Sequence, residues 1–99
     1  MGELNGKQRR HLRALGHHLQ AVVQIGHEGI TEAIVRQVSG QLDAHELIKV
    51  KVSEKAPHDR HETADMLASR CGAEVAQVLG RTLLLYRPRK DNPEIVLPK

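Results

Sequence analysis

The stretch that most constrains the fold runs from Val22 to Ile34, Val-Val-Gln-Ile-Gly-His-Glu-Gly-Ile-Thr-Glu-Ala-Ile. A short apolar run stops at Gly26, and after Gly29 the apolar residues recur as Ile30, Ile34, Val38 and Leu42, joined by Val35. The first pattern reads as a strand and the second as one face of a helix. Two glycines between them suit a turn in which the backbone takes unusual angles, or in which something else approaches it closely. The first N–H groups of a helix lack intrahelical partners, and its dipole makes that end partly positive. Such an end receives anions, phosphate above all. A strand–GxxG–helix unit is how KH-type modules clamp a nucleic-acid backbone. Glycine also shapes many strand-to-helix turns with no ligand, so the rest of the chain has to decide.

Upstream, Asn5 can cap a helix over about 6–18, with Leu12, Leu15 and Leu19 on one face. Arg9, Arg13 and His17 form an i, i+4 stripe on another face, with Lys7 and Arg10 beside it. Downstream, Thr31 can cap the second helix, which is expected to end near Asp43. Residues 46–53 alternate, Ile48, Val50 and Val52 one way and Lys49 and Lys51 the other, as a half-buried strand does. After Pro57, Asp59 and Glu62 have capping-box spacing, and Ala64, Leu67, Ala68 and Cys71 mark the buried face of a third helix that stops at Gly72. Strands 74–79 and 82–87 flank Gly80-Arg81, a two-residue hairpin signal. Ile95-Val96-Leu97 either adds a short final pairing or packs loosely.

The element order, α-β-α-β-α-β-β, gives an α/β fold. Strand–helix–strand implies a parallel pair, and the closing hairpin adds an antiparallel one. The expected architecture is two-layer, a mixed four-stranded sheet with helices mainly on one face. The opposite face should then be polar, with Lys49 and Lys51 supplying that polarity. The 99 residues make one domain, 1–99, with tails at about 1–4 and 89–99.

Aromatic residues are nearly absent, with Tyr86 alone, so the core is aliphatic and a base-stacking aromatic platform is excluded. The net charge of +3 and pI near 9.4 are compatible with a polyanionic partner. Positive charge falls in three clusters: Lys7, Arg9, Arg10 and Arg13; Lys49, Lys51 and Lys55; and Arg81, Arg87, Arg89 and Lys90. A single cysteine excludes an internal disulfide, and no apolar run resembles a signal peptide or a membrane span. A soluble, cytoplasmic monomer without membrane contact is expected.

No cofactor, metal or catalytic centre is expected. His58 and His61 beside Asp59 lack further ligands at motif spacing, and capping explains them better. Cys71, on an apolar helix face, reads as a buried inert thiol. Walker, dinucleotide and GxSxG motifs are absent. The chain does not read as an enzyme.

Several segments together resemble the CRS1–YhbY family, also called the CRM domain. They are Lys7-Gln8-Arg9-Arg10 with Leu12-Arg13-Ala14-Leu15, residues 17–26 and the GHEG turn with Ile30-Thr31-Glu32. His45-Glu46-Leu47-Ile48-Lys49-Val50-Lys51 and the hairpin from Gly80 to Pro88 complete the pattern. The resemblance implies an RNA-binding domain folded like the C-terminal domain of bacterial translation initiation factor three. Stand-alone bacterial members are associated with precursors of the large ribosomal subunit, and multi-copy plant relatives with intron splicing in organelles. It implies RNA contacts at Gly26, His27, Glu28 and Gly29 and on the basic surface nearby, with Lys7, Arg9, Arg10 and Arg13 as neighbours and Lys49 and Lys51 as further candidates. The implied partner is large-subunit ribosomal RNA or its precursor particle. Glu28 departs from the basic or neutral residue many members carry there, so a clamp would rely on backbone N–H groups while the carboxylate points away. The alternative is a protein-interaction adaptor that docks on a ribosomal protein or assembly factor.

Overall fold

Residues 47–50 and 83–86 are buried or half-buried in succession rather than in alternation, because their strands lie in the middle of the sheet and are covered on both sides. The computed structural model describes residues 4–99. Its elements are α1 (Gly6–Gly16), β1 (Ala21–Ile25), α2 (Glu32–His45), β2 (Leu47–Val52), α3 (Arg60–Cys71), β3 (Glu74–Leu79) and β4 (Thr82–Tyr86). The sheet order is β1-β2-β4-β3, with β1 and β2 parallel and the other pairings antiparallel. The expected α/β fold with a mixed four-stranded sheet is the one observed.

The helices begin where their capping residues dictate. Asn5 Oδ1 accepts from the Gln8 N–H at 2.8 Å and Gln8 Oε1 accepts from the Asn5 N–H at 3.0 Å, a reciprocal box that starts α1. Thr31 Oγ1 accepts from the Ile34 N–H at 3.1 Å, and Asp59 Oδ1 from the Glu62 N–H at 2.8 Å. Helix α2 runs on to His45, two residues past its expected end.

The main core lies between the sheet and the α2–α3 pair. It gathers Val23, Ile25, Val50, Val52, Leu83 and Leu85 from the strands with Val38, Leu42 and Leu67 from the helices. A second, smaller core lies on the other face. There Leu12 of α1 packs with Leu4, Leu47, Ala76, Leu84 and Tyr86, and Ile95 and Leu97 of the C-terminal segment lie against them. The opposite face is therefore not the polar surface expected of a sheet with helices mainly on one side. Alternation along β4 turns Leu84 and Tyr86 towards it, and α1 and the C-terminal segment cover them.

The approach of α1 is close. A Cβ on Gly16 would lie 2.8 Å from Leu84 Cδ1, and α1 ends at this residue rather than at 18. Of the expected Leu12, Leu15 and Leu19 face, only Leu12 is buried, while Leu15 and Leu19 remain 44% and 38% exposed. The expected N-terminal tail does not begin to describe Leu4, which is buried, and residues 1–3 lie outside the described residues. Ile95 to Leu97 forms no strand; Ile95 and Leu97 are half-buried and Val96 is exposed.

The C-terminal segment is held by a residue that the sequence placed as the first of a strand. Glu46 instead joins α2 to β2 with φ +65° and is 1% exposed. Its Oε2 accepts from the Arg89 N–H at 2.8 Å, and its Oε1 from the Glu94 and Ile95 N–H groups at 2.8 and 3.0 Å. Burial pushes the carboxyl pKa up, but these three bonds and the Arg89 charge outweigh it and hold it below its ordinary 4.5. A positive φ is strained for a residue with a Cβ. Glycine would relieve the strain, so the carboxylate's bonds are what favour glutamate here.

Glu46→Ala should destabilise the fold by about 2–4 kcal/mol through loss of those bonds. Glu46→Gly should cost about 1 kcal/mol less, because the strain goes too. A folded-state pKa below the unfolded one gives stability that is present above about pH 4.5 and lost as pH falls through the folded value. In thermal melts, the gap between wild type and Glu46→Gly should therefore shrink below about pH 4.5.

Candidate nucleic-acid interface

The chain leaves β1 at Ile25 and closes a tight turn in which the Gly29 N–H donates to the Gly26 carbonyl at 3.0 Å. The two glycines do different jobs. Gly29 has φ +72°, and a Cβ on it would lie 2.8 Å from Pro57 Cγ, so the fold itself requires glycine there. Gly26 has no left-handed φ, and a Cβ on it would meet nothing within 4 Å. Local structure does not require glycine at 26, just as it does not at Gly40 within α2. His27 and Glu28 are exposed at the tip.

Helix α2 starts at Glu32, not directly after Gly29, and Thr31 already satisfies one of its free N–H groups. Between the turn and Thr31, Ala33 and Ile34 lies an open depression of about 260 Å³.

Strand register puts Lys51 beside Gln24, two residues before the turn, and the Ser53 N–H donates to the Ile25 carbonyl at 2.8 Å. Lys49 follows two residues back on the same face, opposite Leu84. This is the face on which α1 lies, so Lys49 and Lys51 share a surface with the first helix. Lys51 is exposed and Lys49 half-buried, and neither joins an ion pair among the described residues.

Lys7, Arg9, Arg10 and Arg13 are all exposed on α1. Arg9, however, borders a depression with Glu74, Val75 and Val78 on β3, the edge opposite β1. The structure thus brings the GHEG turn, Lys49 and Lys51 together and leaves Arg9 on the far edge. The cause is the path of α1, which crosses the sheet with its N-terminal half towards β3.

The third basic cluster is largely committed to the fold. Arg87 Nη1 donates to the Cys71 carbonyl at 2.7 Å and to Ser39 Oγ at 3.1 Å, and Nη2 to the Ser39 carbonyl at 2.9 Å and Asp43 Oδ1 at 2.7 Å. Arg89 Nη1 donates to the Ala44 carbonyl at 3.1 Å, and its Nη2 lies 3.0 Å from Glu94 Oε1. Arg81 faces Glu54 at 3.9 Å, and Arg70 pairs with Glu32. The one sequence signal for Glu46 is that it shares the inward parity of Ile48, Val50 and Val52, where a carboxylate needs partners. Nothing comparable marks Arg87 and Arg89, most of whose acceptors lie 16 to 48 residues upstream.

No group of three or more His, Cys, Asp or Glu side chains among the described residues is placed to hold a metal. His58 Nδ1 sits 3.4 Å from Glu62 Oε2, an i, i+4 contact in the cap of α3. Cys71 is buried, and that burial pushes its thiol pKa up despite the nearby Arg87 and Arg70 charges.

A family model for the CRS1 / YhbY (CRM) domain matches residues 4–87. The chain belongs to the CRM-domain family. Among CRM-domain relatives, the probable RNA-binding protein YqeI of Bacillus subtilis is 37% identical over 95 residues, covering 96% of this chain and 99% of that protein. An RNA-binding protein of Haemophilus influenzae is 35% identical and covers 100% of this chain and 99% of its own. The solution structure of the hypothetical protein SAV1595 from Staphylococcus aureus superposes with a TM-score of 0.82 at 41% identity, over 96% and 99% of the two chains. The CRM-domain match ends at Arg87, so the segment that Glu46 anchors lies beyond it.

The two glycines give opposite expectations. Gly29→Ala should lower unfolding stability by about 2 kcal/mol through backbone strain and the Pro57 contact. Gly26→Ala should leave it within about 0.5 kcal/mol of wild type in denaturant titrations.

Proposed function

We infer that this CRM-domain protein binds structured RNA with the GHEG turn and the basic sheet face beside it, in the assembly of the large ribosomal subunit. The observation that carries the reading is that Lys49 and Lys51, in no ion pair among the described residues, share the sheet face beside the GHEG turn. The names of the relatives, RNA-binding proteins in two bacteria, point the same way. Backbone N–H groups of the turn take a phosphate, Lys51 and Lys49 neutralise the next ones, and the α1 cations add longer-range attraction. His27 contributes charge only when protonated. Glu28 opposes the phosphate, so binding depends on the backbone and the lysines together.

Lys49→Gln/Lys51→Gln should weaken RNA binding about tenfold and flatten the slope of log affinity against log salt by about 1.5. Glu28→Gln should act in the opposite direction, raising affinity about twofold to threefold. Replacing Arg9, Arg10 and Arg13 by alanine should reduce the slope with a smaller loss per residue. Unchanged affinity and slope in the folded lysine variant would remove the basis of the reading. For the cellular role, the protein should co-sediment with large-subunit particles in a sucrose gradient at low salt and leave them at high salt. Migration only as a free small protein at low salt would exclude a stable place on those particles.

One observation favours the adaptor reading. Leu15, Leu19 and Val22 stand exposed around an apolar groove of about 390 Å³ with Leu47 and Ile95. A ribosomal protein or assembly factor bound there should stay bound after nuclease treatment during a pull-down, whereas an RNA-bridged one should be lost.

A further inference from the structure

The α1-side sheet face carries two parallel cross-strand rows, the first running under Gly16 of α1 at Leu84 and the second lying clear of it. Register aligns Lys49 on β2, Leu84 on β4 and Gln77 on β3 in one row. The next row up, towards the GHEG turn, is Lys51, Thr82 and Leu79. Each row begins with a cation on the strand next to β1, crosses a central residue on β4, and ends at the β3 edge.

Lys49, Gln77, Leu79, Thr82 and Leu84 of these rows line a depression of about 230 Å³, with Leu19 and Ala21 at its side and Lys51 just outside it. Lys49, Gln77 and Thr82 are half-buried there, and none makes a side-chain hydrogen bond among the described residues. Their exposed donors and acceptors are open to a ligand. Leu79, 67% exposed, and Leu19, 38% exposed, add apolar surface on two sides. No carboxylate among the described residues borders the depression.

We propose that this depression holds an unstacked nucleobase of single-stranded RNA, with the phosphate on Lys49 or Lys51 and the base over β4 towards β3. The proposal rests on the RNA reading above and narrows it to the class of RNA. Neighbouring strands are about 4.8 Å apart, so a lysine on β2 and a residue on β3 stand roughly 10 Å apart. That span suits a nucleotide laid across the strands, phosphate at one end and base edge at the other. The Gln77 amide and the Thr82 hydroxyl each donate and accept, which matches the edge of a base, while Leu19 and Leu79 offer the apolar contact for its face. A base paired and stacked in a duplex does not present its face this way. The lysines set the charge of the partner as negative.

The test compares binding of a short unstructured oligouridylate and of a fully paired, blunt-ended RNA duplex, by fluorescence anisotropy at one salt concentration. Wild type, Gln77→Ala and Leu79→Ser are each first shown by circular dichroism to melt as folded proteins. Each variant should lose about fivefold in affinity for the oligouridylate, the scale of one weakened base contact, and keep its affinity for the duplex. Equal loss on both RNAs, or no loss on either, would overturn the base site. Binding of the duplex but not the oligouridylate by wild type would overturn it too and leave the broader RNA reading standing. Binding of neither would overturn both.

Discussion

Alternation along the two central strands is the constraint on which the rest depends. With a side-chain period of two, β2 sends Val50 and Val52 into the main core and must send Lys49 and Lys51 to the other side. Its partner β4 likewise divides Leu83 and Leu85 from Leu84 and Tyr86. The apolar half of that second face needs a cover, which α1 and the C-terminal segment provide. The basic half needs water or a polyanion. One strand register therefore sets both the packing of the domain and the position of Lys49 and Lys51.

The cover is fixed by polar chemistry as much as by packing. Leu12 and the close Gly16–Leu84 contact seat α1. The C-terminal segment contributes few apolar side chains, and three of its N–H groups or their neighbours converge on the buried Glu46 carboxylate instead. A buried carboxylate alone would be costly; here backbone donors and Arg89 offset that cost. Arg87 ties the end of β4 to α2 and to the end of α3 in the same manner. Two of the four cations in the last basic cluster are thus structural, and the accessible charge is concentrated on α1 and on the β2 face.

Much of this was legible in the sequence because it depends on neighbours in the chain. Asn5, Thr31 and Asp59 start their helices as capping chemistry requires, and Leu79 pairs Thr82 across the expected hairpin. The course of α1 was not legible, since an amphipathic helix reports that it packs but not on which face of a sheet. That gap explains both the exposed Leu15 and Leu19 and the distance of Arg9 from the turn. The roles of Glu46, Arg87 and Arg89 were hidden for a related reason: their partners meet only after folding. At the turn, the motif was plain, but only the geometry separates a glycine that the backbone needs, Gly29, from one that it does not, Gly26.

The central claim is that RNA lies on the open sheet face between the GHEG turn and α1. A titration of isotopically labelled protein with RNA, followed through its backbone amide resonances, tests it most directly. The account predicts that shifts cluster at residues 26–29 and at Lys49, Lys51, Gln77, Leu79 and Thr82, with weaker changes along the exposed side of α1. Shifts confined to the outer surfaces of α2 and α3, with that face silent, would contradict it.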